Sequence, residues 1–283
     1  METDLAAGEL LQLAPGVNRL IAPNPGMMTG PGTNTYLLGD KEIAVIDPGP
    51  AIDAHIDLIC EIAPGPIKWI LVTHTHPDHS PAVTALAERT NAQRLGRPAP
   101  DGPHQDKTFE PDRVLENGEF FKTSEFTLEV IHTPGHASNH LCYFNEELGW
   151  LFTGDHIISG STVVIDPPDG NMSDYLTSLE TLMEKVITTI APGHGDPIDR
   201  PYEAIDWIIK HRLEREAKVV TELEKRPEST LGDLVPYIYG DVHERLHSIA
   251  ERSLLAHLLK LKDEKRVIQE RKHWSPAGKV GIR

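Results

Sequence analysis

Thr73-His74-Thr75-His76-Pro77-Asp78-His79 puts four side chains of metal-ligand type into six positions, directly after the apolar run Ile67–Val72. The chain holds 15 His in 283 residues, and chance would supply H-x-H-x-D-H in such a chain roughly 0.3% of the time. The stretch therefore calls for a chemical reason. Side chains two apart on an extended segment share one side, so the His74 and His76 rings can converge on one ion. Pro77 forces a turn, after which Asp78 and His79 can face a second ion nearby.

The flanking sequence reads as alternating strands and helices. Residues 33–39 and 42–49 are short, apolar and closed by turn residues, as strands are. Residues 52–62 have a helical apolar spacing, and 67–74 form a buried strand. Ser80 and Pro81 read as the N-cap and first residue of a helix over 81–90. Beyond the Pro-rich loop 96–103 come strands at 113–115, 126–133, 140–147 and 149–155, with Glu146–Gly149 turning the last hairpin. A helix over 172–186 and a strand over 188–194 complete an α/β layered unit.

Three further segments repeat one plan, a candidate ligand where a strand meets a Gly-containing turn. They are Thr133-Pro134-Gly135-His136, Thr153-Gly154-Asp155 and Ala191-Pro192-Gly193-His194. Glycine lets the backbone come close and aim the next side chain into a cleft. Each is weak alone; their order after the first motif makes them strong.

Past Pro201 the pattern becomes mostly helical: a long amphipathic helix over 202–225, a short one over 231–239, a second long one over 242–265, and a hairpin or wing over 265–274. That is the outline of a winged helix-turn-helix. The expected units are a metal-binding catalytic domain, 1–202, and a winged-helix-like domain, 203–283. Charge supports the division. The chain is −16 overall, yet residues 203–283 carry 16 Lys and Arg against 14 Asp and Glu, while residues 1–202 carry 11 against 29. So acidic a first unit disfavours long polyanions as substrates.

The set His74, His76, Asp78, His79, His136, Asp155 and His194 resembles the ligand set of the metallo-β-lactamase superfamily in its two-metal hydrolase form. The resemblance implies an αβ/βα sandwich with both metals at one edge. It implies one ion on His74, His76 and His136 and another on Asp78, His79 and His194, with Asp155 and a hydroxide bridging them. Asp78 and Asp155 would orient that hydroxide and take up its proton. Asp47 matches the acid that supports the metal loop in this family. Asn24-Pro25-Gly26, Gly32-Thr33-Asn34-Thr35-Tyr36, Asp174-Tyr175-Leu176, Ser178-Leu179 and the winged helix resemble the branch around beta-lactamase-like protein 2, which includes a single-strand endoribonuclease and fungal polyketide thioesterases. The resemblance runs from about Asn24 to Trp274. It departs from the family at Ala137, where Thr or Ser often follows the third His, and at Pro81 and Ala82, where relatives carry Gly.

Other histidines compete with this reading. His243-Glu244-Arg245-Leu246-His247 matches the H-E-x-x-H zinc-protease pattern, but Leu246, Ile249 and Leu254 suggest a packed face, and surface or capping roles are favoured. His132 reads as a local structural residue, while Asn34, His140 and His156 are candidate pocket residues. Arg245, Arg252, Lys260 and Lys262 could form a nucleic-acid face, against a packing, lid or homodimer role for the same segment.

No window approaches a membrane span. The acidic opening stretch, residues 1–13, lacks the basic flank of a secretory or transit peptide. Cys60 and Cys142 alone make no disulfide framework, so a cytoplasmic setting is expected and exported β-lactamase activity is disfavoured. The expectation is a hydrolase with two divalent ions, Zn²⁺ by its imidazole and carboxylate donors. The expected substrate is a small thioester or ester. A single-strand RNA endoribonuclease is the alternative, and a winged-helix nucleic-acid-binding protein the alternative outside catalysis.

Overall fold

The computed structural model describes residues 7–278, so the first six residues of the acidic opening stretch and the last five of the 203–283 unit lie outside the described residues. Strands β1 (Leu11–Ala14), β2 (Val17–Ile21), β3 (Asn34–Leu38) and β4 (Ile43–Ile46) form an antiparallel meander. Helix α1 (Asp53–Ile62) crosses to β5 (Ile67–Leu71), and α2 (Val83–Thr90) leads to β6 (Gln93–Gly96) and then β7 (Arg113–Val114), all added in parallel. The second sheet has β8 (Phe120–Lys122), β9 (Thr127–His132), β10 (Leu141–Asn145) and β11 (Trp150–Gly154), antiparallel in turn. Helix α3 (Met172–Leu182) returns the chain to β12 (Thr189–Pro192), parallel to β11.

Period-two burial stacks these sheets. On β4, Ala44 and Ile46 face the second sheet, while Ile43 and Val45 face α1 and α2. On β10, Leu141 and Tyr143 face the first sheet, while Cys142 and Phe144 pack with α3. Tyr36 and Phe152 meet edge-to-face across the layers, ring centres 5.1 Å apart. Each buried side chain of this kind is worth roughly 1.5–3 kcal/mol, and a one-residue slip would exchange the two faces. The result is helices on both outer faces of two packed sheets, the αβ/βα sandwich expected.

Helix α4 (Pro201–Lys225) belongs to two cores: Ile205 and Ile208 pack with α3, and Val219 and Leu223 pack with α5 (Leu231–Ile238) and α6 (His247–Asp263). The hairpin of β13 (Val267–Glu270) and β14 (His273–Pro276) closes that second core with Val267 and Trp274. A reciprocal cap starts α5: the Asp233 carboxylate accepts from the Thr230 N–H at 2.9 Å, and Thr230 Oγ1 accepts from the Asp233 N–H at 3.3 Å. Two long helices, a short one and a wing make up the winged-helix unit.

The structure departs from the sequence reading in places. Ser80 does not cap α2, which begins at Val83. Residues 78–82 instead form a turn in which Ala82 N donates to Gly49 O and the Ser80 hydroxyl to Asp106. The expected helix over 242–265 breaks at its start: a short 3₁₀ turn, Glu244–Leu246, precedes α6. Strands β1, β2, β6 and β8 are additional to those read from the sequence.

Candidate metal centre

All seven candidate donors emerge where strands end: residues 73–79 after β5, His136 after β9, Asp155 after β11 and His194 after β12. Asp47 follows β4 in a left-handed conformation, φ 49°. Such backbone is strained for a non-glycine residue, and the carboxylate here is heavily bonded in return. It accepts from the Thr73 N–H at 2.8 Å, the Thr73 hydroxyl at 2.6 Å and His79 Nδ1 at 2.9 Å.

The donors form two clusters. In one, His74 Nε2 lies 3.0 Å and His136 Nε2 2.9 Å from His76 Nδ1. In the other, His194 Nε2 lies 3.2 Å from both Asp78 Oδ2 and Asp155 Oδ1, and His79 Nε2 lies 3.3 Å from Asp155 Oδ1. Asp155 stands between them: Oδ1 faces His79 and His194, and its other oxygen lies 3.7 Å from His136 Nε2. Gly193 makes room for this, because a Cβ there would stand 2.8 Å from both Asp155 Oδ1 and His79.

The far nitrogens explain why the near ones can act as ligands. His79 Nδ1 donates to Asp47, His136 Nδ1 to Val164 O at 2.7 Å, and His194 Nδ1 to Gly32 O at 3.1 Å. His74 Nδ1 donates at 3.0 Å to the Thr73 hydroxyl, whose own hydrogen goes to Asp47. Each such bond fixes the tautomer that turns a lone pair inward. Asp47 thus holds one imidazole of each cluster, a linkage through Thr73 that no sequence motif announced.

The two clusters differ electrostatically. Burial and the neighbouring imidazoles hold His74 well below its ordinary pKa and bring His76 down to about 3. In the other cluster burial opposes protonation, but Asp78, Asp155 and Asp47 outweigh it at His79, and Asp155 and Asp78 bring His194 up to about 10. His79 Nε2, His194 Nε2 and Asp155 Oδ1 are buried without a hydrogen-bond partner. Orphaned lone pairs converging beside carboxylates fit divalent cations: a cation supplies the positive charge the carboxylates draw and uses every inward lone pair.

The remaining candidates lie around these donors. His140 and His156 are fully buried behind them, with His140 stacked on His74 at 5.0 Å and His156 leaving both ring nitrogens unpaired. Asn34 is buried too, and its amide donates to Pro192 O at 2.9 Å and Gly195 O at 2.8 Å, steadying the turn that carries His194. His132 donates to Ser138 O at 2.9 Å. In the H-E-x-x-H stretch, His243 caps the 3₁₀ turn by accepting from the Arg245 N–H, and His247 donates to Val242 O at 3.1 Å, so the pair does not converge. Of the four basic residues, Lys260 is held by Glu216 and Glu264, while Arg245, Arg252 and Lys262 are exposed, Arg252 in a surface pair with Asp166.

A family model described as the metallo-beta-lactamase superfamily matches residues 28–194, and one described as the beta-lactamase associated winged helix domain matches 230–274. A beta-lactamase-like protein 2 homolog of Drosophila melanogaster is 34% identical, covering 89% of this chain and 90% of its own. An atrochrysone carboxyl ACP thioesterase of Aspergillus chevalieri is 31% identical, covering 93% of this chain and 86% of its own. The crystal structure of a beta-lactamase domain protein from Burkholderia ambifaria is similar with TM-score 0.83 at 22% identity, covering 97% of this chain and 95% of that one.

Proposed function

The chain belongs to the metallo-β-lactamase superfamily, and on that premise we propose that this hydrolase uses two zinc ions to cleave a small thioester or ester. The observation that carries the reading is Asp155, whose two oxygens face the two donor clusters. His74, His76 and His136 would hold one ion, and Asp78, His79 and His194 the other, with Asp155 shared. Bound there, the cations would lower the pKa of water and polarise the scissile carbonyl. Asp78 and Asp155 would orient the attacking water, with the free oxygen of the Asp78 carboxylate taking up its proton, and Asp47 keeps His74 and His79 aligned. We assign this chemistry to the unit of residues 1–202, with α4 and α6 of the winged-helix unit walling the site.

The charge of residues 1–202, 11 basic against 29 acidic, favours a small substrate over RNA, and the thioesterase relative points the same way. The pairing of Lys260 with Glu216 and Glu264, and of Arg252 with Asp166, offsets two of the four charges of the imagined nucleic-acid face. Among the described residues no helix is long and apolar enough to cross a membrane. Cys60 and Cys142 are free thiols, in keeping with the proposed cytoplasmic setting.

The test is turnover of an acyl-thioester panel and of single-stranded RNA by zinc-loaded protein at rising salt. We expect thioester turnover to exceed RNA cleavage and to depend only shallowly on salt. Dominant RNA cleavage that falls steeply with salt, and is lost when Arg245 and Lys262 are both replaced by Ala, would replace this reading with the ribonuclease one.

A further inference from the structure

The segment Val163–Asp166 has no motif and forms neither helix nor strand. Its peptide groups nevertheless bond to opposite sides in turn, as those of an extended chain do. Toward the metal centre, the Val164 carbonyl accepts His136 Nδ1–H at 2.7 Å. Toward the C-terminal unit, the Val163 carbonyl accepts from the Arg212 guanidinium of α4, and the Ile165 N–H donates to Ser253 Oγ of α6 at 3.2 Å. Arg252 of α6 pairs with the Asp166 carboxylate at 3.2 Å. Val163 and Ile165 also pack in one apolar cluster with Ile205 and Ile208 of α4 and Ala256 of α6.

A second path runs from the same arginine. Arg212 is 3% exposed, and its guanidinium carbon lies 5.5 Å from the centre of the Tyr175 ring. Tyr175 seats the turn that carries His136: a Cβ on Gly135, whose φ is 139°, would stand 2.3 Å from Tyr175 Cα. Both the residue before His136 and the acceptor of its outer nitrogen are therefore held by groups that Arg212 touches. A buried guanidinium is costly to desolvate, so its placement between the Val163 carbonyl and Tyr175, with no carboxylate among the described residues bonded to it, calls for an explanation beyond packing.

We propose that Arg212 and Ser253 are positioning residues for His136, so that the winged-helix unit completes the first metal site through the 163–166 segment. The proposal rests on the two-ion reading above. Neither residue touches an ion; they fix the carbonyl that sets the tautomer and ring angle of His136. Losing the direct outer partner of a ligating histidine weakens metal binding by about 10- to 100-fold, and loosening the segment that carries that partner is expected at the lower end of this range.

The experiment titrates Zn²⁺ against a chromophoric chelator in the full-length protein, in wild type, His136→Ala, Arg212→Met, Arg212→Lys and Ser253→Ala. Wild type is expected to bind two ions and His136→Ala to lose one. Arg212→Met and Ser253→Ala are each expected to weaken that same ion by about 10-fold or more and to leave the other unchanged. Arg212→Lys, which keeps a donor for Val163 O, recovers part of the loss, and Arg212→Met adds nothing in the His136→Ala background. Ser253→Ala removes one hydroxyl and carries the test should Arg212→Met not fold. Unchanged affinity for both ions, or equal weakening of both, overturns the positioning role. A wild type that binds no second ion, or a His136→Ala variant that loses none, overturns the two-ion reading itself and the proposal with it.

Discussion

Two histidine-rich stretches of this chain, 74–79 and 243–247, look alike as sequence and differ in structure. In the first, outer nitrogens are tied to Asp47 directly or through Thr73, and inner nitrogens converge among carboxylates. In the second, one imidazole caps a turn and the other bonds a carbonyl five residues back. What separates a ligand from a look-alike is the partner of the far nitrogen and the charge around the near one, more than residue type or spacing.

The largest effect should come from the residue that joins the two clusters. Asp155→Ala should lower kcat by about 10³-fold and leave the two ions unequally held, measured by turnover and metal analysis. The comparison itself is sharpened by a pair of variants. His76→Ala should cost a metal ion and about 100-fold or more in kcat, whereas His247→Ala should leave both within about twofold. Loss of an ion from His247→Ala would break the distinction drawn above. Next comes the anchor: Asp47→Asn keeps the shape but weakens acceptance from Thr73 and His79, and should cost about 10- to 100-fold in metal affinity.

Much of this was readable in advance. Strands β3, β4, β10 and β11 are short apolar runs buried at nearly every position, and the Glu146–Gly149 turn lies between β10 and β11 as expected. Strand β2 was hidden because its apolar run is interrupted by Asn18 and Arg19, and Arg19 is buried through a pairing with Asp196, 177 positions away. Strand β6, Gln-Arg-Leu-Gly, is too short and polar to announce itself; Arg94 is held by Asp112 from the next segment. The side chains that converge in the two candidate clusters were legible because a local motif and three Gly-containing turns carry them. Thr73 and the Val164 carbonyl were not: one acts through a hydroxyl relay and the other through its backbone, so neither leaves a pattern in the sequence.

A smaller effect, confined to the C-terminal unit, concerns Glu216. It is 5% exposed and bonded to Lys260 and Arg266 at 2.8 Å each. Burial alone would raise its pKa, but His257 and Lys260 bring it down to about 2. A depressed carboxyl stabilises the fold above its unfolded pKa, and that contribution is lost as pH falls through about 4.5 toward about 2. Glu216→Gln should lower stability at neutral pH by about 3 kcal/mol, flatten the acid limb of a pH–stability curve and leave metal content at wild-type level.

The central claim is that seven side chains brought together from four loops hold two cations that the hydrolase needs. Metal content of the purified full-length protein, measured by mass spectrometry alongside turnover before and after exhaustive chelation, tests it most directly. The account predicts about two ions per chain, loss of hydrolysis on chelation, and recovery when two equivalents of Zn²⁺ are returned. Full turnover by metal-free protein would contradict it.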